Sequence, residues 1–135
     1  MSFMNWTDQL SVRIPSVDRQ HKVLIGYINK LADVVQKEVS PQLVDLVLKG
    51  LITYTKVHFM YEEMLFKTYK YAEMDDHKRA HVKFISRVNQ FNERFKAGDS
   101  NVGLDLLNFL KDWLSIHILK EDVAYSEYML AKGVK

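Results

Sequence analysis

Residues 74–97 read MDDHKRAHVKFISRVNQFNERFKA. Within them Met74, His77, His81, Phe84, Val88, Phe91 and Phe95 recur at steps that alternate between three and four residues. That spacing follows the 3.6-residue turn of an α-helix and lays these side chains on one face, whereas a half-buried strand would repeat every second residue. The stretch is an amphipathic helix with a face meant for burial. Two residues on that face are histidines.

The same period continues on both sides of it. His21, Leu24, Ile25, Ile28, Leu31 and Val35 form a second stripe, and Val44, Val47, Leu51, Thr55, His58, Glu62 and Leu65 a third. Leu107, Leu110, Leu114 and His117 form a fourth. Breaking residues are sparse, and they fall between the stripes. Ser40-Pro41 is a helix-start signature, since serine caps free amides and proline suits the first helical position. Gly98-Asp99-Ser100 ends one element and caps the next. These signals predict an N-terminal arm over about 1–15 and helices over about 17–38, 41–66, 74–97 and 101–120, with a short terminal helix over about 122–131. Four amphipathic helices with short connections bury their stripes together. The expected fold is all-α, an up-down-up-down four-helix bundle over residues 1–135.

Composition narrows the function. With 47% hydrophobic residues in 135, the chain has enough apolar surface for one core and no room for a second domain. The absence of cysteine excludes disulfides, thiolate metal sites and cysteine nucleophiles, so any metal must be held by nitrogen and oxygen. The net charge of +2 arises from 19 basic and 17 acidic residues that are interspersed, without the basic stripe that grips a phosphate backbone. No run of about 18 apolar residues and no signal-peptide core occurs. The expectation is a cytoplasmic protein that binds no nucleic acid and does not insert into membranes.

All five histidines lie on the inward stripes, and Glu62 lies there too. A lone histidine on an apolar face is ordinarily a neutral ring bonded to a neighbour. Five, together with a carboxylate, need another cause. An unpaired buried carboxylate costs several kcal/mol, and no lysine or arginine shares these stripes. A bound cation supplies the missing charge. At about 100° per residue, positions four apart differ by about 40°, so His58 with Glu62, and His77 with His81, each aim at one centre. His21 and His117 add donors from the other two helices. These exceed one ion's needs, and one further carboxylate would complete a two-metal site. Glu121 is favoured by ideal helix geometry; Asp122 lies about 140° round from His117 and faces inward only where the helix widens, as at a π-bulge.

The pattern His21, His58-x-x-x-Glu62, His77-x-x-x-His81, His117-x-x-x-x-Asp122 resembles the complete iron-ligand set of the hemerythrin family. The surroundings are similar to its single-domain bacterial members: Trp6, Asp18 before His21, His58-Phe59-x-x-Glu62-Glu63 and Trp113-Leu114-x-x-His117-Ile118. Ala72 departs from a proline common in the family, in a loop. The resemblance implies Asp122 over Glu121. It implies two iron ions with an oxo or hydroxo bridge, Fe2+ in the deoxy form and Fe3+ in the oxygenated and met forms. His77, His81 and His117 would ligate one ion and His21 and His58 the other, with Glu62 and Asp122 bridging. Dioxygen would take the position left open at the two-histidine iron. Leu24, Phe59, Trp113, Leu114 and Ile118, each near a ligand in sequence, are the expected walls of that oxygen pocket.

The implied function is reversible dioxygen binding by a monomer, for storage or delivery to an oxygen-consuming enzyme. The rivals are a di-iron oxidase or peroxidase and an oxygen- or iron-sensing module. An enzyme is disfavoured because the stripes hold no spare acid or base. The ferritin-like oxidases are disfavoured because no Glu-x-x-His occurs in the chain.

Overall fold

The structure is a computed structural model that describes residues 3–37, 41–99 and 101–135. Its helices are α1 (Pro15–Gln36), α2 (Pro41–Thr68), α3 (Met74–Lys96), α4 (Val102–Ile116), a π-helical turn (His117–Asp122) and α5 (Val123–Ala131). A single 3-10 turn, Asp8–Leu10, interrupts the N-terminal arm. No strand occurs among the described residues. Helix α1 packs on α2 and α4, and α3 packs on the same two, so consecutive helices are neighbours around a four-helix bundle. Ile28, Leu31, Leu48, Leu51, Leu107 and Leu110 are fully buried along its axis, each worth about 1.5–3 kcal/mol of transfer from water.

The helix ends differ from expectation in ways that have local causes. Helix α1 starts at Pro15 instead of 17, because proline takes the first helical position, and it ends at Gln36 instead of 38. Ahead of it Asp18 gathers the arm: Ser11 Oγ donates to its Oδ2 at 2.6 Å and the Val12 N–H to its Oδ1 at 2.9 Å. Helix α2 runs past 66 to Thr68, where Lys70 adopts a left-handed φ of 57° and the Tyr71 N–H closes on Phe66 O at 2.9 Å. Helix α3 ends at Lys96 through Gly98, whose φ of 83° suits glycine. The Gly98 N–H reaches Phe95 O at 3.1 Å and the Asp99 N–H reaches Arg94 O at 3.1 Å, the paired bonds of a Schellman end. The capping expected of Ser40 and Ser100 lies outside the described residues.

The short terminal helix expected over about 122–131 is α5, which starts one residue later, at Val123. It is joined to the fourth helix: α4, the π turn and α5 follow one another without a break. The Val123 N–H bonds to Ile118 O, five residues back, which is the wider π pattern. Beyond it Tyr125 and Met129 are buried, and Tyr128 donates to Tyr69 O, fastening α5 to the α2–α3 connection. No described helix is long and apolar enough to cross a membrane.

Candidate metal centre

Successive helices of an up-down bundle reach one level at alternating ends. The polar inward residues follow that rule: His21 is early in α1, His58 and Glu62 late in α2, His77 and His81 early in α3, and His117 and Asp122 sit in the π turn after α4. All seven are buried, none more than 6% exposed. Elsewhere among the described residues the buried side chains are apolar apart from Thr55, Ser126 and the hydroxyl of Tyr125, so the seven form one polar cluster at one level.

The five imidazoles turn their Nε2 atoms toward the two carboxylates. Glu62 Oε1 is 3.3 Å from His58 Nε2, 3.7 Å from His77, 3.0 Å from His81 and 3.3 Å from His117. Asp122 divides its oxygens: Oδ2 is 2.7 Å from His21 Nε2, while Oδ1 is 3.3 Å from His77 and 3.1 Å from His117. The π turn makes this possible. It carries Asp122 round to the inside, fully buried, and leaves Glu121 outside, where it accepts from His117 Nδ1 at 2.7 Å. That one widened turn, and not ideal helix geometry, sets which of the two acids faces the histidines.

Convergence of this kind leaves polar atoms without partners. His21 Nδ1 and Nε2, His58 Nε2, His77 Nε2 and both oxygens of Asp122 are buried and make no hydrogen bond. The 2.7 Å approach of His21 Nε2 to Asp122 Oδ2 is close enough for one but does not have its geometry. Orphaned buried donors and acceptors are costly, and a native structure tolerates them when an ion completes them. The donors form two overlapping sets whose ligand atoms lie within 4.8 Å of one another: His21, His58, Glu62, His117 and Asp122, and Glu62, His77, His81 and His117. Imidazole nitrogen and carboxylate oxygen suit iron and its neighbours, so the residues present fit a pair of such ions.

Without an ion, charge in the site is balanced by protons. Burial would lower His77, but the nearby carboxylates of Asp122 and Glu62 outweigh that and push it up to about 9. His117 is also raised, burial being overcome by Asp122 and Glu62. His58 goes the other way: burial dominates and pulls it down to about 4 despite Glu62. Burial would raise Glu62, yet His58 and His117 hold it well below the usual carboxylate range.

An outer layer holds the rings. His58 Nδ1 faces Gln20 Oε1 at 2.6 Å, His81 Nδ1 faces Glu63 Oε2 at 3.1 Å, and the Tyr125 hydroxyl donates to Glu62 Oε2 at 2.7 Å. Burial, then Asp122 and Glu62, raise the Tyr125 phenol, so it remains a donor. Sequence reasoning assigned no role to Gln20, Glu63 or Tyr125, and offered Glu121 only as an inner ligand. The i+4 spacing of Glu121 from His117 was the one available signal for its contact.

Of the expected pocket residues, Leu24, Trp113 and Leu114 line a small apolar void of about 10 Å³ with Ile28, Leu51 and Phe84. Phe59 and Ile118 do not. Phe59 stacks flat on His81, ring centroids 3.7 Å apart, and Trp113 stacks on His117 at 4.5 Å. Ile118 is buried beside His117 in the π turn.

Comparison with known proteins gives a consistent result. Residues 12–128 match the family model described as the hemerythrin HHE cation binding domain. The bacteriohemerythrin of Pseudomonas aeruginosa (strain LESB58) is 36% identical over 125 residues, 93% of this chain and 80% of that one. That of Methylococcus capsulatus is 32% identical over 136 residues, 97% of this chain and 100% of that one. A crystal structure of wild-type hemerythrin superposes with a TM-score of 0.87 at 30% identity, covering 95% of this chain and 98% of that one.

Proposed function

The chain belongs to the hemerythrin family of non-haem iron proteins, and from that premise we propose that it binds dioxygen reversibly at a centre of two iron ions. The observation that carries the reading is the division of donors into two overlapping sets that share Glu62 and His117. His77, His81 and His117 would hold one ion and His21 and His58 the other, with Glu62 and Asp122 reaching both. Bound ferrous ions supply the electrons that hold dioxygen and recover them on its release. The three-histidine side offers one more protein donor, so dioxygen would be taken up on the side of His21 and His58.

The protein's own part is to keep that side dry and fixed. Leu24 is one turn beyond His21 and Thr55 one turn before His58, and both line the small apolar void. Thr55 satisfies its hydroxyl on the backbone, donating to Leu51 O at 2.7 Å. Leu114 closes the void from α4. Tyr125 holds the outer oxygen of Glu62, and the stacks of Phe59 and Trp113 hold two of the rings. None of these groups is a spare base or nucleophile. The reading is therefore a protein that stores dioxygen, or hands it to an oxygen-consuming enzyme, without a substrate of its own, and we propose that it does so as a cytoplasmic monomer.

The test is a cycle. Iron-loaded protein is reduced without oxygen, exposed to air, then returned to an oxygen-free atmosphere while its visible spectrum is followed. A charge-transfer band that comes and goes supports the carrier; one-way conversion to a ferric spectrum rejects it.

A further inference from the structure

The two halves of the centre are backed differently. On the three-histidine side, His81 Nδ1 donates to the Glu63 carboxylate at 3.1 Å and His117 Nδ1 to the Glu121 carboxylate at 2.7 Å. A carboxylate only accepts, so each holds the ring with a proton on its outer nitrogen and leaves Nε2 to turn a lone pair inward once it gives up any proton of its own. On the two-histidine side, His58 Nδ1 meets the neutral amide oxygen of Gln20 at 2.6 Å, and His21 Nδ1 is buried with no partner. Two anions stand behind one set of rings and none behind the other.

An anionic acceptor makes an imidazole a stronger ligand, and losing such an outer partner typically costs about 10- to 100-fold in metal affinity. Glu63 and Glu121 are about one third exposed, and Lys78 Nζ lies 3.9 Å from Glu63, so water and that lysine take part of each effect. The sign is unaffected. We infer that Glu63 and Glu121 grade the centre into a tight subsite at His77, His81 and His117 and a weaker one at His21 and His58, which fill in that order. The inference rests on the two-ion reading above. Its consequence is a one-metal form with the oxygen-binding side still empty, so the second loading step governs when the centre becomes competent.

The test is titration of the metal-free chain with Co2+ under argon, followed by calorimetry. The expected result is two steps of unequal affinity. His81→Ala should remove the tight step, and His21→Ala should leave it in place. Glu63→Gln and Glu121→Gln keep an accepting oxygen and the fold, yet each should weaken the tight step about 10-fold or more while shifting the other less than about threefold. Gln20→Glu should strengthen the weak step. Two steps of which the weak one responds to Glu63→Gln, or two that respond equally, overturn the grading and leave the two-ion reading standing. A single ion per wild-type chain overturns both.

Discussion

Replacing Asp122 and Glu121 by alanine, one at a time, should separate two adjacent carboxylates by what each touches. Asp122 is fully buried, with His21 Nε2 at 2.7 Å, His117 at 3.1 Å and His77 at 3.3 Å. In the metal-free chain at neutral pH, His77 and His117 carry protons, because the two acids raise both of them. Removing Asp122 leaves two buried imidazolium rings with Glu62 as their one buried counter-charge, His117 keeping only the one-third-exposed Glu121 behind it. Breaking a buried pair by deleting one partner costs about 3–5 kcal/mol. Glu121 is one third exposed and makes a single bond to His117 Nδ1, so its loss should cost about 1 kcal/mol after screening by water. Urea unfolding of the metal-free variants measures both. With a slope of about 1–3 kcal/mol per molar, Asp122→Ala should lower the midpoint by about 2 M and Glu121→Ala by about half a molar. In iron-loaded material Asp122→Ala should lose the di-iron spectrum and Glu121→Ala should keep it. Equal midpoints, or a larger loss for Glu121→Ala, would show that the π turn does not bury Asp122 among the histidines.

Iron-replete protein should contain two irons per chain by elemental analysis; one ion, or chiefly zinc, would reject the two-ion reading. Leu114→Ala opens the small apolar void, so it should speed autoxidation several-fold beyond what its about 2–5 kcal/mol of lost packing explains. An unchanged rate in folded, iron-loaded variant removes Leu114 from the functional residues. The metal-free chain should also respond to pH with a definite sign. The His77 pKa rises on folding from 6.5 to about 9, so its stabilisation is complete below 6.5 and lost as pH climbs through 9; that of His58 falls to about 4, which destabilises the fold as pH drops below 6.5. A urea midpoint that keeps increasing from pH 7 to 9.5 would contradict this.

The bundle was legible because its period is carried by many residues at once. His77, Phe84, Val88 and Phe91 of the quoted stretch are buried on the face their spacing assigns. The helix ends were less so, since a boundary depends on one or two residues such as Pro15 or Lys70 whose backbone is settled by their neighbours. The π turn was legible only through resemblance. A 3.6-residue period has no place for a wider turn, and periodicity alone carried the helix to about 120 with Asp122 turned away. What widens it is visible only in three dimensions: Asp122 meets three histidines on the inside while Glu121 keeps His117 on the outside.

The same contrast explains which polar residues spoke from the sequence. His21, His58, Glu62, His77, His81 and His117 fall at positions that must be buried, where a polar side chain costs several kcal/mol unless something pairs with it. Their presence there demanded a cause. Glu63 and Glu121 are partly exposed, and an acid in that setting needs no explanation, because water already satisfies it. Their partnership with His81 and His117 costs nothing that a hydropathy pattern records. Tyr125 is the instructive exception. It is fully buried, but an aromatic ring on an inward face reads as packing, and its hydroxyl bond to Glu62 is hidden behind that ordinary role. Inner ligands are therefore found by the cost of burying them, whereas the residues that tune those ligands are found only once the rings have been placed.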